Sequence, residues 1–323
     1  WNMPNMTGVE LLSLIRKNPE HYDTPVMIIS DEVEREQFIY AMEQGADAYQ
    51  LKPFTADRLT EAIASVLRAR AHQTPFQQKT RDLRLLLLLE KYDSVIRWAK
   101  EMMQEEASID TALLLCIAYL QKFEYAKARE ALRFIPKYRE NSKACHLMGL
   151  AYMGEKKYKK ALVSLENAIE LNPLDQDRKI DAGKVYLEVG MDAEAYEIFE
   201  SILLSGSTDL SLVGIGSALL KKNQLDKASK YLDGISEFLP ETVGVCNEYA
   251  IEIRKTGDYK KSIQYYKKCL KIHPKNEIYL FNLARVYYEA GKMRDAKTFL
   301  KRVLMVNSGH KYAVKLLKHI KHQ

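Results

Sequence analysis

GLAYMGEKKYKKALVSLENAIELNP, residues 149–173, decides how most of this chain is read. It places small residues at Gly149, Ala161 and Ala168, large apolar or aromatic ones at Tyr152, Tyr158 and Leu165, and a proline at Pro173. Apolar and small positions at i, i+3, i+4 and i+7 are the mark of helices that bury one face. Small residues let two antiparallel helices approach closely, while Tyr152 and Leu165 fill the gap between them. Pro173 lacks an amide donor and has a fixed φ, so it stops the second helix.

The same frame returns at a spacing near 34 residues on both sides. Downstream it reads Gly183, Tyr186, Gly190, Ala195 and Phe199, followed by Gly216, Ala228, Leu232 and Pro240. Two further units carry Ala250, Gly257, Tyr259, Tyr266 and Pro274, and then Ala284, Tyr287, Gly291, Ala296 and Leu300. Upstream, Tyr119, Tyr125, Ala128 and Leu132 fit as well. Pro240 and Pro274 are expected to end second helices as Pro173 does. A period of this length signals a stacked array, because each unit buries little alone and gains stability from its neighbours. The pattern resembles the tetratricopeptide repeat, which implies an all-α solenoid over residues 80–323. It would hold about six repeats, a degenerate first helix pair within residues 76–108, and a C-terminal capping helix at Lys311–Lys321.

The first 71 residues have another texture. Trp1-Asn2-Met3-Pro4-Asn5-Met6-Thr7-Gly8 leads into a helical stretch, Val9–Arg16. Thr24-Pro25-Val26-Met27-Ile28-Ile29-Ser30 is a short apolar run ending in a hydroxyl and reads as a buried parallel strand. An amphipathic stretch, 33–44, precedes Gly45-Ala46-Asp47-Ala48-Tyr49-Gln50-Leu51-Lys52-Pro53-Phe54, and a last helix runs from Ala56 to about Ala71. In this order and spacing the elements resemble the C-terminal part of a CheY-like receiver domain of bacterial response regulators, joined to the repeats by a linker at 72–79. The fold class expected is an incomplete flavodoxin-like α/β receiver remnant followed by the all-α solenoid.

The receiver resemblance implies roles. A phosphoryl group on a carboxylate brings close to two negative charges and three acceptor oxygens. Ser30 and Lys52 fall at the family positions that sense and hold it, by a hydroxyl and an ammonium. Tyr49 matches the aromatic switch, and Pro53 follows the lysine in a bond that family members often hold in cis. Asn2 matches the position whose main-chain carbonyl completes the shell of Mg²⁺, a hard cation suited to oxygen ligands. The aspartate that accepts the phosphoryl group is expected immediately before Trp1, so no catalytic residue is expected within the chain. A remnant with two strands would leave strand faces and edges uncovered. That implies a longer protein, packing on the neighbouring helices, or pairing with a second copy as a dimer.

In tetratricopeptide solenoids the first helix of each unit lines a groove that takes a peptide. Counted in the repeat frame, the groove positions include Lys184, Asn247, Ile251 and Arg254. They continue with Phe281, Asn282, Arg285 and Tyr288. Asn282 and Arg285 lie about one helical turn apart, where an amide could bond a ligand backbone and a guanidinium a carboxylate.

Composition limits the remaining classes. Of 49 Lys+Arg and 43 Asp+Glu, residues 1–75 hold 7 and 11, a net −4, which leaves +10 on the repeats. Lysine runs such as Lys156-Lys157, Lys260-Lys261 and Lys267-Lys268 read as solvated faces, with attraction to an acidic partner as the weaker reading. There is no DNA-binding or RNA-recognition signature, so no nucleic-acid partner is expected. No apolar run reaches the roughly 20 residues that span a bilayer, and no membrane insertion is expected. Cys116, Cys145, Cys246 and Cys269 form no Cys-x-x-Cys pair and read as buried reduced thiols in a cytoplasmic protein. No nucleophile–base set, phosphate loop or metal motif points to an enzyme. Two functions fit. One is a two-component response regulator modified by a histidine kinase or phosphotransfer protein, with an unknown protein or peptide in the repeat groove. The other is a constitutive scaffold whose receiver-derived module no longer switches.

Overall fold

A computed structural model describes residues 7–31, 34–236 and 240–321. The chain forms two compact units, residues 1–198 and 199–323.

The first unit opens with α1 (Gly8–Lys17), β1 (Met27–Ser30), α2 (Arg35–Glu43), β2 (Ala48–Leu51) and α3 (Ala56–Ala71). Thr7 and Glu10 close a capping box on α1: the Thr7 side chain accepts from the Glu10 amide and the Glu10 carboxylate accepts from the Thr7 amide. β1 and β2 are parallel, in register from Met27 opposite Ala48 to Ser30 opposite Leu51, with α2 as the crossover that parallel strands require. Val9 and Leu12 of α1, Ile28, Ala41 and Ala46 form a small core. Around it Leu11, Leu14, Leu51 and Leu67 remain exposed, and α3 buries no residue fully.

Helices follow without a further strand among the described residues. They are α4 (Pro75–Leu88), α5 (Tyr92–Glu105), α6 (Ile109–Gln121), α7 (Tyr125–Leu132), α8 (Ser142–Gly154), α9 (Tyr158–Leu171) and α10 (Gln176–Val189). Residues 75–79, which the sequence suggests as linker, are the start of α4. Thr74 caps it in a capping box with Gln77, and Pro75 sits in the first turn, where its missing amide costs nothing. α8 and α9 meet at Gly149, where an added Cβ would lie 2.6 Å from Leu165 Cγ. This is the close approach that the small residues of the motif anticipate.

α11 (Asp192–Leu204) crosses the boundary between the units. The second unit continues with α12 (Asp209–Lys221), α13 (Leu225–Leu232), α14 (Val243–Thr256), α15 (Tyr259–Ile272), α16 (Glu277–Glu289), α17 (Met293–Val306) and α18 (Lys311–Lys321). Gly216 stands against Leu232 as Gly149 does against Leu165, its added Cβ 2.4 Å from the leucine Cγ. Pro173 and Pro274 each lie two residues past the end of a second helix, α9 and α15. Pro240 does not: α13 has already stopped at Leu232, whose carbonyl accepts from the Tyr265 hydroxyl at 2.7 Å. A side chain from the next repeat thus satisfies one of the orphan carbonyls that every helix end leaves.

The period is written in the backbone as well. A left-handed residue recurs every 33 or 34 positions, at Glu90, Phe123, Lys156, Gly190, Asn223, Gly257 and Gly291, each in the turn between paired helices. α18 buries Ala313 and Ile320 and leaves Lys311, Lys315 and Lys318 exposed, which gives it a basic outer face. The four cysteines are free and buried. Burial raises the Cys246 and Cys269 thiols to about 12, with the neighbouring Cys269 contributing part of the shift at Cys246. No helix among the described residues is long and apolar enough to cross a membrane.

Candidate functional site

Parallel strands put their carboxyl ends on one side, and two residues of the expected phosphoryl site arrive there together. Ser30 ends β1 with its side chain fully buried, and Lys52 follows β2 with its side chain exposed. The Lys52 amide donates to the Ser30 carbonyl at 2.8 Å, which ties the two strand ends to each other. The Lys52–Pro53 peptide bond is cis. Tyr49 is half-buried at the edge of the small core, and its ring meets Phe38 of α2 edge-on, centroids 5.8 Å apart. Asn2 lies outside the described residues. Among those residues no group of three or more His, Cys, Asp or Glu could hold a metal, so they do not compose a Mg²⁺ shell.

At the opposite end of the sheet is a network that the sequence reading did not find. Asp47 accepts from the Val26 amide (2.8 Å), from Arg16 Nη2 (2.9 Å) and from Arg70 Nη2 (3.0 Å). Arg16 also donates to the carbonyls of Gly45, Tyr22 and Thr24. Burial lowers the Arg16 pKa and the charge of Asp47 opposes that shift. Arg70 of α3 and Arg81 of α4 share Asp23. The usable signal was Arg16 in the last turn of a helix and an acid just after a glycine, both easily read as solvated charges.

The positions expected to line a repeat groove divide between the units. In the second unit, α14 presents Asn247, Ile251 and Arg254 and α16 presents Phe281, Asn282, Arg285 and Tyr288, at spacings that keep each set on one helix face. Asn282 Nδ2 donates to Asn247 Oδ1 at 3.3 Å, linking the two helices. Arg254 Nη1 bonds both carboxylate oxygens of Glu289 at 2.7 Å, and Arg285 Nε donates to the same group at 2.9 Å. Burial works to raise the Glu289 pKa, but the bonds and charges of the two arginines outweigh it and hold the carboxyl below its ordinary range. Phe281 lies 4.8 Å from the His310 ring, just before α18, and Tyr288 6.0 Å from His319 within it, so aromatic rings border these positions. A ligand carboxylate drawn to Arg285 would compete with Glu289, which Arg254 already holds. Lys184 belongs to the first unit, where it pairs with Asp181 at 2.8 Å; the same carboxylate takes His146 Nε2 at 2.8 Å.

A second contact escaped the sequence reading. Arg178, the start of α10, is a buried cation, 1% exposed in its side chain. Its Nη2 donates to Glu43 Oε2 of α2 at 2.6 Å, and it also bonds Ser142 and the Ala168 carbonyl.

These two regions correspond to two known families. Residues 1–64 match the response regulator receiver domain, and residues 142–175 and 254–320 match the tetratricopeptide repeat. The chain joins a receiver segment to tetratricopeptide repeats. Among curated proteins it is similar to the chemotaxis protein CheY of Pseudomonas aeruginosa, 41% identical over 66 residues, which is 20% of this chain and 53% of that protein. It is likewise similar to the chemotaxis protein CheY-3 of Vibrio cholerae serotype O1, 44% identical over 66 residues, 20% of this chain and 51% of that one. The chain thus spans about half the length of the curated relatives it matches. Among solved structures, the C-terminal part of a TPR repeat-containing protein from Cytophaga hutchinsonii covers 73% of this chain and 98% of its own length at 16% identity and a TM-score of 0.53, a likeness of fold. The chain is response-regulator-like, with a repeat module of the protein-interaction type, and no enzyme family is indicated.

Proposed function

We propose that this protein is a two-component response regulator in which receiver phosphorylation controls protein–protein interaction through the tetratricopeptide repeats. The observation that carries the reading is the meeting of Ser30 and Lys52 at the carboxyl ends of two parallel strands, in the same compact unit as the first repeats. In open parallel sheets that edge is where ligands bind. A histidine kinase or phosphotransfer protein supplies the phosphoryl group to an aspartate that precedes Trp1. Ser30 donates its hydroxyl to one phosphoryl oxygen and Lys52 places its ammonium beside another. Drawing the Ser30 hydroxyl outward frees room for Tyr49, and the ring shifts against Phe38. The repeats carry the output by holding a protein or peptide in the groove that includes Asn247, Arg254, Asn282 and Arg285. The described residues do not make up a Mg²⁺ shell, and no step given to these residues runs through the cation.

The test is to treat the complete protein with a small phosphodonor and Mg²⁺ and to weigh it intact. A single acyl-phosphate adduct, lost when the aspartate before Trp1 is replaced by asparagine, is the expected result. A folded protein that takes up no adduct overturns the reading and leaves a constitutive scaffold.

A further inference from the structure

The buried guanidinium of Arg178 takes part of its counter-charge from outside the repeats. A buried cation is tolerated only when paired and hydrogen-bonded. Within the repeats Arg178 Nε approaches Asp175 at 3.4 Å; the shorter contact, 2.6 Å, is to Glu43, 135 residues earlier. Glu43 is gripped at three points. Arg178 and the side-chain amide of Asn172 share its Oε2, the amide at 2.7 Å, and Lys143 donates to its main-chain carbonyl. The three donors come from the turn after α9 and from the starts of α8 and α10, so they meet where two consecutive repeats begin. One turn back along α2, Tyr40 is half-buried. Burial raises its phenol above the ordinary value, and the nearby carboxylates of Asp175 and Asp177 add to that shift. α2 therefore has one end fastened to the repeats and, toward its start, Phe38 against the Tyr49 ring.

We propose that α2 is the element through which the receiver segment acts on the repeats, with Glu43 as its contact residue and Arg178 as the positioning residue that receives it. The role in signalling rests on the phosphorylation reading above; the mechanical link between Tyr49 and the repeats does not. A shift of the Tyr49 ring moves Phe38, α2 tilts as a rigid helix, and its C-terminal end pulls on Arg178. Arg178 bonds Ser142 at the start of α8 and the Ala168 carbonyl near the end of α9, so a displaced guanidinium loosens the beginnings of α8 and α10 together.

Hydrogen exchange on the complete protein tests this, with Tyr49→Ala as the perturbation and Glu43→Gln as the severed link. Glu43→Gln keeps size and leaves every repeat residue in place, which avoids the unfolding that an Arg178 variant risks. Tyr49→Ala in the otherwise native chain is expected to speed exchange in the first turns of α8 and α10 by roughly tenfold, equal to a local opening made easier by about 1.4 kcal/mol. Glu43→Gln alone should speed the same amides, and Tyr49→Ala should add nothing further on top of it. A merely structural Glu43 would let the two changes add. Additive effects overturn the proposal, as does a Tyr49→Ala effect confined to β2 and α2. The phosphodonor adduct is read separately by intact mass, so a receiver that takes no phosphoryl group and a broken α2 link give different results.

Discussion

The receiver segment and the repeats bury their apolar residues in different ways. The segment's core is five residues drawn from α1, β1, α2 and the turn before β2, while Leu11, Leu14, Leu51 and Leu67 stay exposed beside it. A repeat such as α8–α9 buries Ala151, Ala161, Leu165 and Ala168 completely within one helix pair. Repeats close their cores with near neighbours in sequence, whereas an α/β segment closes its core with whatever the sheet brings alongside. The segment is correspondingly held by charge, through Asp47, Asp23 and Glu43, where the repeats are held by shape.

This contrast can be broken most forcefully in the repeats. Leu165→Ala, at the Gly149 contact, should cost about 2–5 kcal/mol, the range for a fully buried leucine whose site cannot collapse. Hydrogen exchange should show protection lost across α8–α10 and, because Arg178 begins α10, in α2 as well. A next smaller effect comes from Arg16→Met, which removes the donor to three carbonyls and to Asp47. It should destabilise the receiver segment by about 1.5–3 kcal/mol, the range for hydrogen bonds to a charged group. Exchange in α14–α18 should stay unchanged.

Glu289→Gln sharpens the comparison by asking how much charge matters inside a repeat. Its carboxylate is 24% exposed, so about 1 kcal/mol is expected, between the values for exposed and buried pairs. The folded pKa lies below the ordinary value of 4.5. The stabilisation is therefore fully present above that value and is lost as pH falls through the lowered one. Denaturant midpoints of native and variant protein should differ at pH 7 and converge as pH falls below the ordinary carboxylate range. The smallest effect has the opposite sign. Lys156 holds a left-handed turn at φ 57° where three of the four later turns use glycine. Lys156→Gly should stabilise by up to about 1 kcal/mol, by removing the Cβ clash of that conformation.

How far the sequence could be read follows from the same contrast. The Gly149–Leu165 contact lies within one repeat, 16 positions apart, and the 34-residue frame made it visible. The repeat frame already held Gly190, Gly257 and Gly291, three of the left-handed turn positions, though no turn was read from them. The turns were silent at Glu90, Phe123 and Lys156, where packing of the paired helices holds an ordinary residue in that conformation. Pro240 misled because α13 stops well before it, at Leu232, whose carbonyl accepts from a tyrosine hydroxyl of the following repeat. Ser30, Tyr49 and Lys52 were singled out from their order along the chain. Glu43 and Arg178 were not, since each is an ordinary helix residue until the fold brings 135 positions together.

That separation also sets a clock. A ribosome adds about 5–20 residues per second, so the 135 residues between Glu43 and Arg178 take roughly 7–27 seconds to synthesise. For that interval α2 has left the ribosome without its cation, and the receiver segment must wait for α10 to emerge before its last contact can close. A translational pause within residues 44–178 would lengthen that exposure, and chaperones that hold apolar surface would find the segment during that window.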